Sequence, residues 1–308
     1  MIMIENFIQK IQNSKMLSFE ISPPKGANFD ETLQKIEKSG LIDKIDGFIT
    51  TDSPLAKLRY SSILASIKTQ TFFNKPSIAT ISMRDRNSFA LQADLIGAND
   101  FNLRCFLALT GDGVNHGDQP QAKGVFEQNS LFLLQIINAL NSQKDIANNP
   151  LKEPLKPIYG FCVLNSYSKK LESLKRKMAK KIETGCIAIV TQPVYDLDVA
   201  NMLHDWLVEL TSKYSDFRKD TKLIFGFFPV VSYKGAYFLY SKLPGVFIPD
   251  SWLERLEIAS KISKDEEFKV GFEMSQKLLE TIYSTHQKLH LMSSNNAKLM
   301  KDLIEGVA

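Results

Sequence analysis

Cysteine, histidine and tryptophan are scarce in this sequence, with three, four and two residues among 308. Cys105, Cys162 and Cys186 each lie in an apolar, strand-like run without CxxC spacing, and read as reduced core thiols of a cytoplasmic protein. The histidines are scattered with no HxxxH pair, so no metal site is expected. His116, in a polar loop, reads as a solvated residue. No GxGxxG follows a strand-like run and no GxxxxGK occurs, which excludes a Rossmann dinucleotide site and a P-loop. No apolar run approaches the ~18 residues of a membrane span. A formal net charge of only +4 argues against nucleic acid as a partner. The one dense basic run, Lys169 to Lys181, carries Leu171, Leu174 and Met178 at helical spacing and no aromatic residue to stack on a base. It reads as the solvated face of an amphipathic helix. Residues 1–15 place Ile4, Phe7, Ile8 and Ile11 at helical spacing around Glu5, and read as a leading helix, not a signal peptide.

What is present is a regular alternation. Short apolar or β-branched runs over 16–21, 45–51, 77–82, 105–110, 157–163, 186–191, 222–228 and 288–292 predict eight strands. Amphipathic segments over 30–39, 55–69, 88–98, 128–140, 169–184, 198–210 and 234–243 predict helices between them. Strand and helix in alternation imply parallel strands with right-handed crossovers, and eight such pairs close most naturally into a TIM (β/α)8 barrel. A further helix over 250–262, and one opened by the Ser263-Lys264-Asp265-Glu266 capping box, precede the last strand. Gly185 falls where a left-handed C-terminal cap is wanted. The polar stretches 141–156 and 212–222 read as loops, and 1–308 as one barrel domain.

In a barrel the chemistry gathers at the carboxyl ends of the strands. Read there, the sequence offers Glu20 with Ser22, then Thr50-Thr51-Asp52, Ser82 with Arg84-Asp85-Arg86, Thr110-Gly111-Asp112, Asn165, Thr191-Gln192, Ser232-Tyr233 and Ser293-Ser294-Asn295. This polar ring looks like a ligand site. Glu20 is its most informative member, because it stands between Phe19 and Ile21, where an unpaired carboxylate is costly. A carboxyl group in partly apolar surroundings keeps its proton nearer to neutral pH and can act as a donor. Asp112 reads equally well as ordinary turn chemistry or as a functional carboxylate. Any bound phosphate must be met by loop donors and by Lys or Arg, with Lys181 a candidate.

The segment Ser18-Phe19-Glu20-Ile21-Ser22-Pro23-Pro24-Lys25 resembles the opening motif of methylenetetrahydrofolate reductases. The resemblance continues through Thr51-Asp52-Ser53-Pro54-Leu55-Ala56, Arg84-Asp85-Arg86-Asn87, Leu109-Thr110-Gly111-Asp112, Gly117-Asp118, Gly124-Val125-Phe126 and Thr191-Gln192-Pro193-Val194-Tyr195-Asp196. It covers about Leu17 to Met300, and is nearest to the reductase-like module fused to bacterial homocysteine methyltransferases. The resemblance implies a flavoprotein that holds FAD at the barrel mouth. Such an enzyme takes electrons from NADH or NADPH, reduces methylenetetrahydrofolate to methyltetrahydrofolate and so feeds methionine synthesis. It further implies that Glu20 is the general acid and that Asp112 tunes the flavin and orients the folate. Thr50, Thr110, Gly111, Asn165 and Lys181 would be cofactor contacts, while Gln192 and Tyr233 would contact folate. Thr80 and Asn165 stand where members carry histidine, Thr110 where some carry arginine, and Phe161 and Met292 where tyrosine is frequent. A barrel with another electron donor, a non-catalytic folate or flavin binder, self-association, and an electron-transfer or methyltransferase partner all stay open.

Overall fold

In the computed structural model, the described residues are 4–242 and 245–306, without the side chains of His116 and Lys242. The reading for His116 therefore lies outside them. Eight strands, β1 (Met16–Ile21), β2 (Gly47–Thr50), β3 (Ser77–Ser82), β4 (Cys105–Leu109), β5 (Tyr159–Leu164), β6 (Ala188–Pro193), β7 (Lys222–Phe227) and β8 (Lys288–Leu291), pair in parallel in chain order. β8 closes on β1, as the alternation predicts for a TIM barrel. Around it run α1 (Ile4–Asn13), α2 (Asp30–Lys38), α3 (Ser62–Phe73), α4 (Ser88–Asp100), α5 (Ser130–Asn141), α6 (Leu171–Glu183) and α7 (Leu197–Thr211). Before β8 come α8 (Tyr233–Lys242), α9 (Asp250–Ile262) and α10 (Lys264–His286), and after it α11 (Ala297–Glu305).

Alternation along each strand divides the core in two. Met16, Ile49, Ile78, Cys105, Leu107, Phe161, Val190 and Ile224 fill the barrel, and Ile4, Phe7, Ile8 and Ile11 of α1 join them from the amino-terminal end. The intervening residues, among them Phe19, Ile21, Phe48, Phe106 and Phe225, pack outward against the helices. A Cβ at Gly47 would stand 2.9 Å from the Phe7 ring, so the close seating of α1 depends on that glycine.

The expected caps are in place: Ser263 Oγ accepts from Glu266 N at 3.0 Å, and Gly185 has φ +76. Two segments differ. The helix expected over 55–69 begins only at Ser62, because Pro54–Ala56 forms a separate short turn with Ser53, Leu55 and Ala56 at positive φ. α11, capped by Asn296, has no counterpart among the expected segments.

Between α7, α10 and β7, His286 Nε2 donates to Asn201 Oδ1 at 3.0 Å, and the ring packs against His204 and Phe225. Burial first, and His204 second, push its pKa from 6.5 to about 4, with Asp205 opposing. The folded state thus binds fewer protons than the unfolded chain between those values. Its contribution to stability is full above pH 6.5 and is lost as the pH falls towards 4. A His286→Gln variant should therefore show a flatter fall in Tm over that window than the parent, read by melting across pH.

Candidate active site

The carboxyl end of the barrel opens into a cavity of about 360 Å³. Glu20, Thr51, Thr80, Val163, Val190, Gln192 and Met292 reach it from the strands, and Asp112, Arg84, Pro54 and Leu55 from the loops. Glu20 points inward because its neighbours Phe19 and Ile21 take the outward positions of β1. Its side chain keeps 21% of its surface accessible, and Oε2 lies 3.9 Å from His290 Nε2. Nδ1 of the same ring is 3.0 Å from Ser18 Oγ. Ser18 and His290 are register partners across the β1–β8 seam, which fixes that contact by sheet geometry.

Three loops meet over one side of the mouth. Asp112 Oδ2 accepts from Leu55 N at 2.8 Å. Asp118 accepts from Leu58 N at 2.9 Å and from Lys25 Nζ at 2.7 Å, and the Lys25 ammonium holds its carboxyl below the usual range. The loop after β4 is thereby tied to those after β1 and β2. Gly111 turns the chain at φ +92, and a Cβ there would come within 2.9 Å of Arg84 Cβ. Arg84 is itself held by two 2.7 Å bonds to Asp85, which raise its already high pKa.

A second cavity of about 450 Å³ lies over the ends of β4 and β5. Thr110, Asn165 and the start of α5 line it, with Lys177, Lys180 and Lys181 of α6 opposite. It shares Leu109, Val163 and Gln192 with the first, so the two adjoin along the ends of β4, β5 and β6. A third opening continues from Glu20, Gln192 and Met292 to Phe228, Ser232, Lys234 and Phe238.

The structure brings Glu20, Gly111, Asp112 and Gln192 together in the first cavity and Thr110, Asn165 and Lys181 in the second. It does not bring two expected residues there. Thr50 faces outward, with Oγ1 3.1 Å from Ser62 O and 2.5 Å from Ser66 Oγ, and Thr51 takes the inward position. Tyr233 packs against the cluster of Val230, Ala236 and Trp252, while Phe238, further along α8, lines the opening. The strand-end reading includes Arg84 in its polar ring but passes over His290, which also lines the first cavity. For His290 the available signal is parity, since it stands two residues before the inward Met292.

A model of the family described as methylenetetrahydrofolate reductase matches residues 4–308. No curated protein matches the sequence. Among solved structures, one described as an uncharacterized protein from Clostridium thermocellum that binds two copies of 5-methyl-5,6,7,8-tetrahydrofolic acid superposes with a TM-score of 0.61 at 15% identity. That match covers 99% of this chain and 96% of the other. EDTA monooxygenase from Chelativorans sp. BNC1 follows at 0.56 and 12% identity, covering 95% and 92%. A long-chain alkane monooxygenase reaches 0.57 at 9% identity, covering 95% and 90%. Such identities establish a shared fold.

Proposed function

The chain belongs to the methylenetetrahydrofolate reductase family, and from that premise we propose that it reduces methylenetetrahydrofolate to methyltetrahydrofolate, with FAD at the barrel mouth and NADH or NADPH as electron donor. The observation that carries the proposal is the convergence of Glu20, Asp112 and Gln192 on one cavity that adjoins a lysine-lined one. A solved barrel of the same fold that binds 5-methyltetrahydrofolic acid supports folate as the substrate class.

The residues present fit the flavin. Its diphosphate needs cations, which Lys177, Lys180 and Lys181 offer in the second cavity. Its flat ring needs apolar walls with a few polar groups, and Leu107, Leu109, Val163 and Val190 supply the walls beside Asp112 and Thr51. When bound, the flavin supplies the hydride. The chain supplies the rest. Glu20 delivers a proton to the bridged folate ring as it opens, with Ser18 and His290 as a polar backing. Gln192, common to all three openings, orients the pterin. Pro54 and Leu55, tied to Asp112, screen the reacting atoms from water. Lys234 stands at the opening where the acidic tail of a folate would emerge.

The test is titration of the purified chain with FAD, followed by flavin fluorescence and by the visible spectrum. Binding is expected, with Lys181→Met weakening it about tenfold through loss of one charged contact. A chain that binds methyltetrahydrofolate but takes up no FAD would overturn the flavin assignment.

A further inference from the structure

Two buried polar side chains stand behind Glu20. Ser18 is fully buried and His290 only 3% exposed. Ser18 is the inward residue before Glu20 on β1, and His290 comes two places before the inward Met292 at the end of β8. The barrel filling around this level is otherwise apolar, with Met16, Ile49 and Ile224 among it. Polar groups in such a setting are stable only when paired.

Their pairing fixes where the protons lie. Ser18 Oγ is 3.0 Å from His290 Nδ1 and has no other partner among the described residues. A hydroxyl has one proton to give, and burying it without an acceptor is costly. If Nδ1 carried a proton it would donate to Oγ, and the Ser18 proton would be left without an acceptor. That holds for the tautomer protonated at Nδ1 and for the doubly protonated ring alike. Only when Ser18 donates to a bare Nδ1 are both groups satisfied, and the single ring proton then lies on Nε2. Nε2 is the nitrogen that stands 3.9 Å from Glu20 Oε2.

We infer that His290, locked by Ser18 with its proton on Nε2, is a positioning residue for Glu20: it gives Oε2 a fixed N–H donor and so leaves Oε1 as the oxygen that carries the acid proton. This rests on the folate reduction proposed above. The contact is open at 3.9 Å, and it shortens to a charge-assisted hydrogen bond once Oε2 belongs to a carboxylate. In the step itself the O–H bond at Oε1 breaks and an N–H bond forms on a folate ring nitrogen. The bond from that nitrogen to the bridging carbon opens, and its electron pair stays on nitrogen. The negative charge left on Glu20 is met at Oε2 by the Nε2 proton, which does not leave the ring. The ring has no source to replace a lost proton, because behind it stands only Ser18, sealed from solvent. Glu20 therefore regains its proton from water on the cavity side, where its side chain keeps 21% of its surface accessible.

The tautomer is read without turnover, from the ring-nitrogen NMR shifts of isotope-labelled histidine, with His290 identified as the signal missing from His290→Gln. A bare Nδ1 and a protonated Nε2 are expected, and Ser18→Ala, which keeps the ring, should replace that single pattern by a mixture. In stopped-flow, His290→Leu should slow the folate half-reaction about 10–100-fold, as for losing one hydrogen bond to a charged group. Flavin reduction and the Kd for methyltetrahydrofolate should stay within about twofold, because the lost contact acts on the transition state. His290→Gln, whose amide nitrogen reaches the place of Nε2, should recover most of the loss. His290→Asn, whose amide nitrogen reaches only the place of Nδ1, should not. A protonated Nδ1 in the parent overturns the inference, and so does equal loss in Gln and Asn, the pattern of a ring that only fills space. A parent with the expected tautomer that reduces no folate overturns instead the reading on which the inference rests, and the spectrum tells the two failures apart.

Discussion

Glu20→Gln is expected to leave flavin reduction by nicotinamide at the parent rate and to slow methylenetetrahydrofolate reduction by about 10²–10⁴-fold, the range for losing a positioned proton donor. The substitution keeps the size and hydrogen-bonding reach of the side chain, which sits inward between the outward Phe19 and Ile21. It removes only the exchangeable proton. In the proposed reaction the proton is needed in the folate step alone. Stopped-flow measurement of the two half-reactions separates these roles. If both slow together, Glu20 acts in placing the cofactor; if neither slows, it is not the acid. Folate binding by Glu20→Gln, read separately by titration, should change by less than the rate.

The framework that puts Glu20 there was largely legible. Barrel strands are buried on both faces, so they appear as apolar runs bounded by turn residues, and the eight found lie close to the expected ranges. What a linear reading handles poorly is parity, because a one-residue step reverses the direction of a side chain. Thr50 and Thr51 are adjacent and chemically alike, yet only Thr51 faces the cavity, while Thr50 ties β2 to α3. The helical version of the same effect separates Tyr233, packed on the cluster of Val230, Ala236 and Trp252, from Phe238, which lines the opening. His290 required knowledge of a contact across 272 positions, between the last strand and the first, which only barrel closure creates. The helix expected over 55–69 was misplaced at its start because a run of positive φ values at Ser53, Leu55 and Ala56 is invisible in apolar periodicity. That run belongs to the mouth.

Gly117→Ala should be the most damaging single methyl group that the mouth can receive. The backbone at Gly117 is unstrained, with φ −94, so conformational freedom is not what the glycine provides. It provides distance. A Cβ there would lie 1.9 Å from the carbonyl oxygen of Ala56 and 2.6 Å from its carbon, both backbone atoms that cannot rotate away. The loops after β2 and β4 would have to separate, and the bonds from Leu55 N to Asp112 and from Leu58 N to Asp118 span that same contact. Overpacking of this kind costs ~1–3 kcal/mol, and two charge-assisted bonds add ~1.5–3 kcal/mol each if they break. The barrel itself does not depend on this contact, because both loops lie beyond the strand ends. The expected result is therefore a fall in Tm, rapid proteolysis within residues 53–60, and loss of most folate turnover as Asp112 swings free. Limited proteolysis alongside the two half-reactions checks it. A variant with ordinary protease resistance and ordinary turnover would show that the mouth does not depend on the close approach of these two loops.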